Sequence, residues 1–378
     1  MKLFAKQYTP DIFDATGLTL SDDNAQVVSE LVFEESFAMN EKNKFSRFIK
    51  FNTGIKNKKI IPILGGFTGL AGKELTDEGC TPTASSMTIS SSQKKWECVY
   101  MGDRLEDCYI NIKETFWTYF RPSGVDGQDP SQNPAYSSFV QMRLQEYLAD
   151  LLMFRILFIS NTGIAAETNN TIVTADLKYF NTHDGIIQQC KDIFAADADR
   201  QTTLAENAQT TYATQSFDNT AIVVGNVATY KATNILNNLV KNSHSDLKRV
   251  PKARRVILIS QTIADRYAEE RKAITNVDLG YIRTETGMDM FMFDGIEVVI
   301  LPTYDTMIDS YFDNGTRQWE PHFAIHTTKD NIQVGTLQTT DFETFSSFYS
   351  KENKKWILDF AFDFDVKVIV DRLIQIAI

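Results

Sequence analysis

The sequence predicts an α+β fold in an extended, plate-like subunit, and three stretches carry that prediction. The first is the closing segment KKWILDFAFDFDVKVIVDRLIQIAI. Trp356, Leu358, Phe360, Phe362, Phe364, Val366, Val368 and Val370 are all apolar, and Asp359, Asp363, Asp365, Lys367 and Asp371 alternate with them. Successive strand side chains point to opposite faces, so this reads as one amphipathic strand with an apolar face. At about 3.3 Å per residue it would run about 50 Å, against the usual ~17–20 Å. The second stretch, 136–159, places Phe139, Val140, Leu144, Tyr147, Leu148, Leu151, Leu152 and Phe158 on one helical stripe. It predicts a rod of about 36 Å. In the third, 51–98, Gly54, Gly65, Gly66, Gly69, Gly72 and Gly79 interrupt short apolar runs such as IIPIL. That pattern predicts a long two-stranded β-ribbon, and a lone ribbon needs a neighbour to hold it.

Composition sets the limits. At 378 residues the chain exceeds a typical single core, which predicts two domains or one with large excursions. Hydrophobic content of 43% and charged content of 23% are those of an ordinary folded protein. The net charge of -11 argues against a protein whose task is gripping nucleic-acid phosphates. It is compatible with one that surrounds nucleic acid without adhering to it. Cys80, Cys98, Cys108 and Cys190 form no CxxC pair, so reduced thiols in a reducing cytosol are expected. The first residues lack a signal-peptide core and no run approaches the ~20 apolar residues of a membrane span. A soluble protein made in the cytosol is expected.

Along the chain, 1–20 reads as an extended arm. Ser21 then caps a helix over 22–39 with Val27, Val28, Leu31, Val32 and Phe37 at helical spacing. The Pro- and Gly-bearing segment 121–134 is a loop. Residues 164–220, rich in Thr, Asn, Gln and Asp, suit an exposed insertion or a domain surface, with one short helix at 184–194. A second folded unit follows: a helix at 228–242, a strand at 256–259 and a Ser260-capped helix at 261–272. Next come a turn and buried strand at 293–301 ended by Pro302, and a turn at 305–308. Strands at 323–325 and 331–336 precede an aromatic strand at 341–349, which should form a hairpin with the closing strand.

Motifs for chemistry are sparse. GGFTGLAG lacks both GxGxxG and GxxxxGK[ST]: Lys73 follows Gly72, but Glu74 stands where the hydroxyl residue would be. His322 and His326 (HFAIH) lack the glutamate of a zinc helix, and in a strand would lie ~13 Å apart as surface or interface residues. The row Asp359, Asp363, Asp365 is either a solvated strand face or a divalent-cation site, and the face explains it without an ion. Lys248, Arg249, Lys252, Arg254 and Arg255 form the densest basic stretch. It faces either packaged DNA or, by preference, an intersubunit ion-pair contact. No catalytic residue, metal or cofactor is expected.

The order of elements, above all VILISQTIADRYAEERK, FDGIEVVILPTYDTMI, DNIQVGT and the two closing strands, resembles the major capsid proteins of tailed bacteriophages with the Hong Kong 97 fold. The resemblance implies an N-terminal arm and helix over 1–50 and an extended loop over 51–98. It further implies a peripheral domain of 99–175 and 330–378 with spine helix 136–159, and an axial domain of 176–329. It implies a non-enzymatic shell protein of the virion, assembled in the host cytoplasm into hexamers and pentamers. The icosahedral head would enclose double-stranded DNA without sequence-specific binding. Portal, possible scaffold and decoration proteins are the implied partners. Assembly contacts are expected at Gly65, Gly66, Gly69, Gly72, Lys73, Lys56, Lys58 and Lys59, and by location alone Lys56, Lys58, Lys59 and Lys73 are the lysines placed for a crosslink to a neighbouring subunit. The alternatives are an encapsulin-type nanocompartment shell within the same fold and, from another class, a two-domain α+β enzyme.

Overall fold

A computed structural model of the protein describes residues 48–52, 54–55, 59–68, 88–108, 154–167, 170–198, 201–275, 282–283, 289–336, 344–350 and 355–378. The expected arm and helix of 1–39, the ribbon tip at 69–87, the loop of 121–134 and residues 136–153 of the long helix lie outside the described residues.

In chain order, β1 (Ile49–Asn52), β2 (Ile60–Thr68), β3 (Thr88–Lys95) and β4 (Val99–Cys108) come first. A helical turn follows at Phe154 and passes into a π turn at Arg155–Ile159. Helix α1 (Ile186–Ala196), β5 (Gln201–Thr202), α2 (Lys231–Lys241), β6 (Arg255–Ile259) and α3 (Gln261–Thr275) succeed it. Then come β7 (Ile282–Arg283), β8 (Asp289–Phe293), β9 (Ile296–Ile300), α4 (Pro302–Tyr311), β10 (Ala324–Thr328) and β11 (Ile332–Gly335). The chain closes with β12 (Thr344–Ser350), β13 (Lys355–Val368) and β14 (Ile374–Ala377).

Strand β13 is the spine of the first sheet. Its 14 residues pair antiparallel with β4 from Lys355 to Phe364, with β12 from Lys355 to Ala361, and with β11 from Asp365 to Val368. Strand β1 adds parallel to β11. The expected hairpin of the two closing strands is present as β12–β13. The sequence alternation is realised: Phe360, Phe362, Phe364, Val366 and Val368 are all buried in one core. They pack with Phe154, Ile156, Leu157, Phe158 and Ile159 of the π turn and with Ile186, Ile187, Cys190 and Phe194 of α1. Gln189 of α1 also grips the strand, donating to Val366 O at 2.6 Å and accepting from Val368 N–H at 2.9 Å. The 164–220 segment is therefore anchored in the core through Ile164, Phe180 and α1 rather than being an exposed insertion. Its helix has one apolar edge within a polar surround, and it is that edge which packs. Gly102 of β4 lies so close to β13 that an added Cβ would sit 2.3 Å from Phe360 O.

The second sheet has seven strands in the order β5-β14-β10-β6-β9-β8-β7. Strands β6 and β9 are parallel and β10 is antiparallel to both β6 and β14. Asp294 and Gly295, both at positive φ (50 and 75), form the two-residue β8–β9 turn, a conformation that twists with the strands. All five residues of β6 are buried, because the sheet is covered on both faces. Ile257 and Ile259 join α2 and α3 in a second core, whereas Val256 and Leu258 face the first core with Tyr304, Met307 and Ile308 of α4. One core thus unites the two sheets. Asn331, 3% exposed, sits at their crossing: its side chain donates to Val370 O and accepts from Val370 N–H. The last strand, β14, belongs to this second sheet, so 330–378 is shared between the sheets rather than confined to one.

Two local expectations are corrected. Pro302 ends β9 but also stands first in α4, where its missing N–H costs nothing, so the expected turn at 305–308 is mid-helix. Ser260, fully buried, is not the main cap of α3. The Gln261 N–H donates to Asp305 Oδ2 at 2.8 Å, a carboxylate brought in from α4. Burial lifts the Asp305 carboxyl to about 7 against the pull of these N–H groups. At the start of α2, the fully buried Glu270 accepts from Ala232 and Thr233 N–H at 2.9 and 2.8 Å. It also meets Arg266 at 3.4 Å.

Candidate functional site

The ribbon is the feature that the body of the protein does not absorb. Among the described residues, strands β2 and β3 pair only with each other, from Ile60↔Lys95 to Thr68↔Thr88. Gly65 and Gly66 occupy the register shift between Leu64 and Phe67, where residues free of a Cβ let the strand bend. The described ribbon side chains, 60–63 and 93–95, belong to neither core. Gly69, Gly72 and Lys73 of the expected contact set, and Lys56 and Lys58, lie outside the described residues. Lys59 is exposed at the ribbon base, where its carbonyl accepts the Trp96 N–H at 3.0 Å.

The base itself is rigid. Strand β3 runs through Trp96–Cys98 directly into β4, which is laid along ten residues of β13. Trp96, 3% exposed, is seated on Gly335, where an added Cβ would fall 2.6 Å from its ring. Lys94 Nζ donates to Val368 O and to Asp371 Oδ1, both at 2.5 Å. Glu97 N–H donates to Asp365 Oδ2 at 2.8 Å, and Lys367 Nζ lies 3.4 Å from the other oxygen.

This overturns part of the reading of the aspartate row. Asp365 is 2% exposed and serves as an internal acceptor at the ribbon base, whereas Asp359 and Asp363 are partly exposed. The alternation fails there because the ribbon base folds over the odd face and supplies the Glu97 N–H, while Lys367, two residues on in the same strand, supplies the cation. Among the described residues no cluster of three or more His, Cys, Asp or Glu is arranged to hold a metal ion. Burial pushes the Asp365 carboxyl up to about 6, with Lys367 and the Glu97 N–H opposing it. A folded-state value above the unfolded ~3.9 means that the native state gains stability as pH falls through about 6. Asp365→Asn removes that gain. Its melting temperature should therefore fall relative to the parent between about pH 7 and pH 4. A constant difference across that range in a thermal melt series would show that Asp365 does not titrate there.

The basic stretch is likewise only partly a surface. Arg255 is 7% exposed at the head of β6, donating to Val250 O at 2.7 Å and Lys248 O at 2.5 Å, and so is removed from any contact set. Lys252 pairs with Asp294 at 2.9 Å and Arg254 with Asp330 at 3.3 Å, while Arg249 lies 3.6 Å from Asp246. The histidines are buried rather than on the surface. His322 meets Thr262 Oγ1 at 2.8 Å and Gln215 O at 2.9 Å, and His326 meets Ser243 Oγ at 2.8 Å. Burial drives His326 down to about 3 and lowers His322 and His183 as well, the last to about 4. They are neutral hydrogen-bonding members of the interior.

A cleft of about 390 Å³ opens beside α3, lined by Tyr212, Phe217, Asp218, Asp265, Arg266 and Glu269 among others. Nothing in the sequence marked it, since its walls come from segments a hundred residues apart that are joined through Gln215 and Gln318.

No protein-family model and no curated protein sequence matches the chain. Among solved structures it is similar to a chain of Gordonia phage Cozz, with a TM-score of 0.47, 11% identity, and 89% of this chain and 86% of that one covered. Similarity also extends to a chain of the satellite phage P4 procapsid that includes the size determination protein: TM-score 0.45, 12% identity, 92% and 96% covered. The capsid of the Myoviridae phage XM1 compares at a TM-score of 0.45 and 11% identity, with 88% and 89% covered.

Proposed function

We propose that the protein is a major capsid protein of the Hong Kong 97 type, a non-enzymatic shell subunit that self-assembles. The observation that carries this reading is the β2–β3 ribbon. Among the described residues it is a two-stranded sheet without a third strand, on a base bonded to the body of the protein. A free ribbon of this kind is marginal in water and offers two open edges, so a neighbouring subunit is its natural support. In this reading 51–98 is the extended loop, and the sheet built on β13 is the peripheral domain of 99–175 and the closing segment. The seven-stranded sheet with α2 and α3 is the axial domain, 176–329 together with β14. Hexamers and pentamers follow from one heterologous contact repeated about an axis. The shell encloses double-stranded DNA in the virion, and the -11 net charge keeps that DNA off the wall. Portal, scaffold and decoration proteins are the partners such a head implies, and the host cytoplasm is where it is assembled.

Negative-stain microscopy of the purified chain tests this directly, with rings, sheets or closed shells expected as concentration is raised. Monomers or dimers alone at every salt and protein concentration would overturn it.

A further inference from the structure

The seven-stranded sheet has ends of opposite charge. Strands β6 and β10 are antiparallel, with Arg255 opposite Thr328 at one end and Ile259 opposite Ala324 at the other. The first end carries Lys248, Arg249, Lys252 and Arg254, and Arg372 is placed there by the lead into β14. These cations outnumber the carboxylates that meet them, Asp246, Asp294 and Asp330. Asp246 alone lies within ion-pair distance of both Arg249 and Arg372. Arg249 and Arg254 are open, with side chains 82% and 70% exposed.

The second end holds the cleft beside α3. Arg266 forms its floor, 4% exposed, 3.6 Å from Asp218 and 3.3 Å from Glu269. Its charge is already met by the buried Glu270. Asp218 and Glu269, 77% and 57% exposed, together with exposed Asp265, therefore leave the cleft with excess negative charge. Tyr212 and Phe217 give it apolar walls against which a long basic side chain can lay its stem.

From this we infer that the cleft receives the basic end of a second copy of the chain, with Arg249 and Arg254 reaching toward Asp218 and Glu269. The inference rests on the shell reading and names its contact around the rotation axis. An acceptor at one end of a sheet and its complement at the other make a head-to-tail contact, the kind that closes into rings. Guanidinium groups suit it because their planar fork matches carboxylate oxygens.

Charge reversal in two separate chains tests the contact. Asp218→Lys/Glu269→Lys makes both ends basic, and Arg249→Glu/Arg254→Glu makes both ends acidic. Each chain alone is expected to assemble about tenfold less than the parent or worse, because like charges meet at every contact. Mixed in equal amounts they should assemble again, alternating around even rings. Unchanged thermal midpoints of the separate chains show that folding is intact. Normal assembly of either variant alone, or no recovery on mixing while the parent assembles, overturns the contact and leaves the shell reading standing. A parent that never assembles overturns both.

Discussion

A chain in which 65–90 is replaced by a two-residue Asn-Gly turn is expected to fold as the parent does and to form no closed shells. Leu64 and Ser91 face each other across the ribbon, so a tight turn can join them without moving the base. The Trp96–Gly335 contact, the Lys94 bonds to Val368 and Asp371, and the β4–β13 ladder all lie on the body side of the cut. Both cores stay whole among the described residues, and the thermal midpoint should hardly move. Assembly should be lost almost entirely, because the excised segment carries the outer end of a ribbon that, among the described residues, pairs with no other strand. Sedimentation and negative-stain microscopy read the two outcomes separately. Shells of parental size and yield from the truncated chain would mean that the ribbon is not an intersubunit clasp.

What was legible in the sequence was whatever depends on period. Strand β13, the hairpin with β12, the ribbon, α2, α3 and the buried strands β6 and β9 all follow from alternation, helical spacing or short apolar runs between turn residues. What failed depends on contacts distant in sequence. Pro302 carries the same local signal whether it ends a strand or starts a helix, and α4 is fixed by packing Tyr304, Met307 and Ile308 on the far sheet. The helix at 184–194 was legible and stands as α1, but the polar look of 164–220 hid that its few apolar residues all fall on one side and pack in the first core. Gln215 is buried because its amide bridges Gln318 from a hundred residues away. Asp365 and His326 are polar residues whose burial depends on partners from elsewhere in the chain, the Glu97 N–H for one and Ser243 for the other. For the candidate site, the sequence located the ribbon and the basic stretch. It did not show that Arg255 is internal, nor that an acidic cleft stands at the opposite end of the sheet.

The sharpest stability contrast should come from two adjacent positions in β13. Phe364 is fully buried, edge-on to the ring of Phe362 with centroids 6.4 Å apart and to His183 at 6.0 Å. It lies where α1, the π turn and the closing strand meet, a site whose walls are themselves strands and helices of one shared core. Such walls do not collapse readily into a void. Phe364→Ala should therefore cost about 3–5 kcal/mol, the lost burial and the residual cavity adding together. Asp363, next along the strand, points to the other face and is only partly buried, so Asp363→Ala should change stability by no more than about 0.5 kcal/mol. Urea denaturation of the unassembled subunit measures both, and an unchanged slope with denaturant would show that the two variants unfold to the same state. Losses of similar size at the two positions would contradict the different surroundings of the two faces at 363 and 364. That is the property on which the packing of β13 against the rest of the first core depends.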